Sequence, residues 1–127
     1  LSMTQEHQVD VAVRSTFVPE RSDPKKSLYF FAYNVTITNH GTQPCQLLAR
    51  RWIITDAMGN TEEVKGPGVV GETPVIDVGQ SFNYTSFCPL KTPAGSMRGS
   101  YQMVDSEGRH FEAEIPAFAL SRQETLN

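Results

Sequence analysis

Gly66-Pro67-Gly68-Val69-Val70-Gly71 is the segment whose residue types and spacing come nearest to a known chemistry, a formal G-x-G-x-x-G. In dinucleotide-binding folds such glycines stand between a parallel strand and a helix whose N-terminus holds a pyrophosphate. Here Glu72-Thr73-Pro74 follows, so a proline falls within the first turn or so of any such helix, and the residues beyond it read as strand. A Rossmann-type site is therefore not expected, and no cofactor is implied. Two readings of the loop remain. In one, the glycines let the backbone bend sharply between strands while Val69 and Val70 enter the core. In the other, successive backbone N–H groups of Gly66, Gly68, Val69, Val70 and Gly71 form a concave nest that accepts an anion without a helix. Arg50 and Arg51 would supply its countercharge. Adjacent residues on a strand face opposite ways, so only one of these arginines can serve a given pocket, and Trp52 beside them reads as core.

The remaining chemistry-bearing residues do not assemble into a reactive set. His7, His40 and His110 have no ligand type at a metal-binding interval. Ser81, Ser86 and Ser100 lack a nucleophile-elbow glycine pattern. Glu62, Glu63, Glu112 and Glu114 read as solvent-facing strand or turn residues. No combination supplies an acid, a base and an oxyanion site together, so the expected class is a binding module, not an enzyme. Cys45 and Cys88 flank Trp52 as in an immunoglobulin disulfide, but Ser86 stands where that pattern wants a tyrosine. Residues 1–7 show no basic region followed by an apolar stretch. Two free, buried thiols and a cytoplasmic location are the corresponding expectations. The formal net charge of −3 argues against a direct nucleic-acid binder. The longest apolar run, Leu28 to Tyr33, is too short to cross a bilayer.

The elements that must position these residues are strands. Val9, Val11 and Val13 alternate with polar residues in a first strand over about 8 to 18, and Pro19 to Lys26 reads as a loop with two prolines. From Leu28 to Thr38, Tyr29, Phe31, Tyr33, Val35 and Ile37 share one face, before a turn at 39–42 attributed to residues that accept positive φ. A third strand runs from about Cys45 to Asp56 with Leu48, Trp52 and Ile54 on one face. A short strand over 61–65, an irregular stretch over 66–73 and a short strand at 75–77 follow. Next comes a strand through Phe82, Tyr84 and Ser86, then a hairpin of Met97 to Val104 with His110 to Ile115. Pro116 is expected to interrupt that last strand, leaving Phe118 to Leu120 to pair at an edge. Short, evenly spaced strands with Gly/Asn/Asp turns and alternating faces predict one all-β domain, a two-sheet immunoglobulin or fibronectin type III-like sandwich. Its core covers about 8–120, with tails at 1–7 and 121–127. An exposed edge strand in such a sandwich offers a route to a homodimer.

The ordered combination of Leu48-Ala49-Arg50-Arg51-Trp52-Ile53-Ile54-Thr55-Asp56, Gly59, Glu63-Val64 and the loop through Pro74 resembles the ApaG family. Phe82, Tyr84-Thr85-Ser86, Met97, Gly99, Tyr101-Gln102-Met103, Phe111 and Ile115-Pro116-Ala117-Phe118 extend the likeness over most of the chain. The resemblance implies a fibronectin type III-like sandwich without established enzymatic activity. It implies links to cobalt and magnesium homeostasis and to diadenosine tetraphosphate metabolism. Similar domains in certain F-box proteins and in a DNA-polymerase-delta-interacting protein look like protein-interaction modules, so a protein partner is the first expectation. A small phosphorylated ligand at the glycine loop is the second. Pro67 departs from the family pattern and removes one N–H from any nest.

Overall fold

The computed structural model describes residues 7–122; of the expected tails, 1–7 and 121–127, residues 1–6 and 123–127 lie outside them. Eight strands form two antiparallel sheets: β1 (Val9–Phe17), β2 (Tyr29–Asn39), β3 (Cys45–Asp56), β4 (Thr61–Pro67), β5 (Val75–Ile76), β6 (Ser81–Leu90), β7 (Ala94–Asp105) and β8 (His110–Ser121). One sheet runs β1-β2-β6; the other runs β4-β3-β7-β8, with β5 paired to β3. Inward residues of both sheets, among them Phe31, Val35, Ile37, Leu47, Trp52, Tyr101, Met103 and Ile115, fill one buried layer. This is the two-sheet sandwich that the period-two pattern predicts. No helix among the described residues is long and apolar enough to cross a membrane.

Local sequence accounts for most of the connections. Asp56-Ala57-Met58-Gly59-Asn60 and Asp105-Ser106-Glu107-Gly108-Arg109 form the same turn twice. In each, the Asp carboxylate accepts the N–H groups two and four residues on, and the glycine takes a positive φ. Pro19 and Pro24 each open a single 3₁₀ turn inside the expected loop, where the missing N–H costs nothing.

Several expectations are corrected. The 39–42 turn does not use positive φ: the buried Asn39 side chain makes it, accepting from the Gly41 N–H and donating to the Gln43 and Ile76 carbonyls. Pro116 does not interrupt β8. It falls where the β7–β8 register shifts between Met97–Phe118 and Gly99–Ile115, and the strand continues past it to Ser121. A bulge absorbs the missing N–H there. Leu48 does not share the core face with Trp52 and Ile54, because the β3–β7 register shifts between Leu47 and Ala49. Cys45 and Leu47 face inward before that bulge, and Trp52 after it. Residues 66 and 67, read as irregular, still belong to β4. His7, assigned to the tail, stacks on Phe111 at 4.1 Å between ring centroids and contacts Asp105. Both cysteines are buried and free.

The two long sides of the sandwich differ. On one, β1 and β8 meet, and the Ser15 hydroxyl donates to the Ala119 carbonyl at 2.7 Å. On the other, the edges β4 and β6 stay apart and a groove opens between them.

Candidate functional site

The bulge in β3 creates the site, because it changes which of two adjacent arginines turns inward. Without the extra residue, Arg51 would continue the inward row of Cys45 and Leu47; with it, Arg50 does. Arg51 lies on the outer face and its Nε donates to the Glu63 carboxylate. The structure thus brings Arg50, and not Arg51, to the glycine loop. The Arg50 guanidinium lies against Gly66, where an added Cβ would come within 2.9 Å of it. Its Nη1 donates to the Pro67 carbonyl at 2.9 Å and the Gly68 carbonyl at 3.0 Å. Among the described residues, no carboxylate forms an ion pair with it.

The loop beyond Gly66 is a tight bend. Val69 and Glu72 exchange both backbone hydrogen bonds, at 2.8 and 2.9 Å. Between them Val70 and Gly71 both have positive φ, 43° and 79°, the pattern of a two-residue type I′ turn. Gly68 also has positive φ, and a Cβ there would strike the Glu72 carbonyl. Its N–H donates to the Leu48 carbonyl. The three glycines thus serve an arginine contact, a crowded bend and a turn tip, and among the described residues no helix follows them. Val69 is buried, as expected, whereas Val70 is about half exposed at the tip. The Gly68 and Val69 amides that an anion nest would use already donate within the chain.

Beside this loop a cleft of about 360 Å³ is lined by Tyr33, Arg50, Tyr84 and Ser86 together with Val69, Val70 and Gly71. Tyr33, Arg50 and Ser86 also line a neighbouring cavity of about 240 Å³, whose far wall is Trp52, Ile54 and Glu62. Ile54, Glu62 and Pro89 in turn line a third cavity of about 590 Å³ that ends at Lys26 and Lys91. Their shared lining residues place the three side by side, and together they make up the groove along the open side. Residue chemistry inside it is mostly neutral. Burial raises the Tyr33 hydroxyl pKa, against a hydrogen bond with Ser86 that lowers it. Burial likewise pushes the Cys88 thiol up to about 11, with Glu62 adding to the effect, so it holds no thiolate at neutral pH. The indole Nε1 of Trp52 is buried without a partner in the structure. Such a groove suits recognition of an acceptor or anionic group beside apolar side chains.

Sequence reading located the loop and Arg50 but not the tyrosine and serine walls. The available signal was polarity on inward positions: Tyr33, Tyr84 and Ser86 put hydroxyls on the core side of β2 and β6. His7, His40 and His110 do not enter the groove. Among the described residues, no three His, Cys, Asp or Glu side chains gather where a metal ion could be held.

Comparison with known proteins shows the family. The family model of the ApaG domain matches residues 19–105. Protein ApaG of Aromatoleum aromaticum is 46% identical over 127 residues, covering 100% of both chains. Protein ApaG of Pseudomonas aeruginosa is 54% identical over 121 residues, 95% of each chain. A crystal structure from Bordetella pertussis, of a protein designated ApaA, superposes with a TM-score of 0.90 at 47% identity, over 94% of this chain and 97% of that one. With its family model matched across both sheets and full-length relatives at this identity, the chain belongs to the ApaG family.

Proposed function

We propose that this protein is a non-catalytic, cytoplasmic binding module that holds a segment of a protein partner in the groove between β4 and β6. One observation carries the reading: the three cavities of the open side share lining residues and so lie in a row, a channel of adjoining hollows beside β6. From Tyr84 to Lys91 that channel follows roughly 23 Å of extended chain, room for a segment of about seven residues. Arginine, tyrosine and tryptophan line it, the residue types that dominate binding energy at protein interfaces. Exposed Val70 and Phe87 stand on its rim. The thiol and phenol groups within it stay protonated at neutral pH, which favours binding over proton transfer.

Panning a random-peptide display library against the protein tests this. Enriched peptides should shift the amide resonances of β6 and of Val69 to Gly71. Ser86→Trp, which fills the groove from its wall, should abolish those shifts while leaving the rest of the spectrum in place. Peptides that map to the β1–β8 side, or no enrichment at all, would count against the reading.

A second occupant, a small phosphorylated ligand, is favoured by Arg50 lying without a carboxylate partner next to the Val70-Gly71 turn. Titration with pyrophosphate and diadenosine tetraphosphate should then move the Val70 and Gly71 amides. A flat response removes this alternative.

A further inference from the structure

On the reading of the groove given above, we propose that a partner segment bearing an aspartate or glutamate adds as a fourth strand to the β6 edge and points that carboxylate at Arg50. The two edges of the open side are not equivalent. β4 is guarded by Glu62, Glu63 and Lys65 and ends at Pro67, the devices by which sheet edges avoid pairing. β6 carries no charged residue between Ser81 and Leu90. Its even-numbered residues are the ones that hydrogen-bond to β2, as alternation from the Gln80 carbonyl, which accepts from the Asn39 N–H, requires. Phe30, opposite Pro89, turns its own backbone groups to Val18 and Ser22, away from β6. Antiparallel alternation therefore leaves the N–H and C=O groups of Asn83, Thr85 and Phe87 directed outward. Pro89, with no N–H, closes this template. A strand added there has three successive backbone positions to pair with, and alternate side chains enter the groove.

The charge pattern selects the occupant. Arg50 lines the groove without a carboxylate partner, and an acceptor with full negative charge is the strongest complement to a guanidinium. Glu62 lines the middle of the groove and Lys26 and Lys91 its far end, but the pairing template from Asn83 to Phe87 runs beside Arg50 and stops at Pro89, so the acid belongs at the Arg50 end. A second copy pairing β6 with β6 brings no acidic residue along that strand, which leaves Arg50 unmatched; a different protein is required. Outward side chains of the added strand meet Phe87, which is 48% exposed and packs 5.6 Å from Phe30. The Arg21 guanidinium lies 4.3 Å over the Phe30 ring.

Three octapeptide sublibraries, with Glu, Gln or Lys fixed at the centre, test the proposal by affinity and amide shifts. Binders from the Glu set should be about tenfold tighter than their Gln twins and should shift Thr85 and Phe87. N-methylation of alternate peptide amides should abolish binding. Arg50→Gln keeps an N–H for the Pro67 and Gly68 carbonyls and should erase the Glu preference. Equal affinity of the three sets, shifts confined to Glu63 and Lys65 of β4, or self-association through β6 in sedimentation would each overturn the proposal. An absence of binders in all three sets would instead sink the groove reading on which it rests.

Discussion

Val70 is the residue whose backbone runs most plainly against its chemistry. A β-branched side chain at φ 43° is strained, because the left-handed region crowds Cβ against the following carbonyl. It is also half exposed, so little burial offsets the strain. Val70→Asn gives the turn its preferred Asn-Gly sequence, and chemical denaturation should show a gain of about 1 kcal/mol. If the side chain rests on a partner at the groove rim, the same variant weakens peptide binding. Asp105 shows the opposite balance. Burial pushes its carboxyl up, yet hydrogen bonds from His7, Arg109 and Glu107 outweigh that and hold it well below the usual carboxylate range. A depressed folded-state pKa contributes stability that is present above the unfolded value and lost as pH falls toward the folded one. Melting temperatures should therefore drop steeply below about pH 4. Asp105→Asn should lower the melting temperature at pH 7 and flatten that acid limb.

At the scale of elements, bulges decide what each strand presents. The one in β3 turns Arg50 and Trp52 inward and Arg51 outward. The one between β7 and β8 admits Pro116 and sits beside Gly99, where β7 passes close to β3. A Cβ at Gly99 would fall 1.9 Å from the Arg51 carbonyl and 3.1 Å from the Trp52 Cα. Those neighbours are backbone and cannot swing away. Gly99→Ala should cost about 3 kcal/mol in equilibrium unfolding through overpacking. Because the strain falls on β3 at Arg51 and Trp52, the amide signals of Arg50 and the glycine loop should move with it. A spectrum unchanged outside β7 would refute that coupling.

Across the whole molecule, the two sheets are joined through the core by a pair of hydroxyls. Tyr84 of β6 meets Tyr101 of β7, both buried. Burial raises the pKa of both phenols, so the pair stays neutral at physiological pH. Tyr101→Phe strands the Tyr84 hydroxyl and should cost about 1–3 kcal/mol. The double variant Tyr84→Phe/Tyr101→Phe should cost less than the two single changes added together, since no buried hydroxyl is left unpaired. Strict additivity in that cycle would mean that the pair does not act as one bridge.

The sandwich and its two Asp-to-Gly turns were legible in the chain itself, because side-chain alternation and turn chemistry are local and repeat every two to five residues; the strand count was not, since Pro116 reads as a break that β8 passes through. So were the resemblance in the glycine loop and the exclusion of a helix after it, since Pro74 blocks one at close range. What alternation misplaced were the positions after a register shift. Nothing in Leu47-Leu48-Ala49 marks a bulge, which arises only when β3 and β7 are aligned. Which arginine faces the groove, and that β1 meets β8 while β4 and β6 stay apart, depend on how distant strands settle against one another. Those choices are made by pairing within a sheet and packing between sheets, interactions among distant strands to which no single stretch of sequence has access.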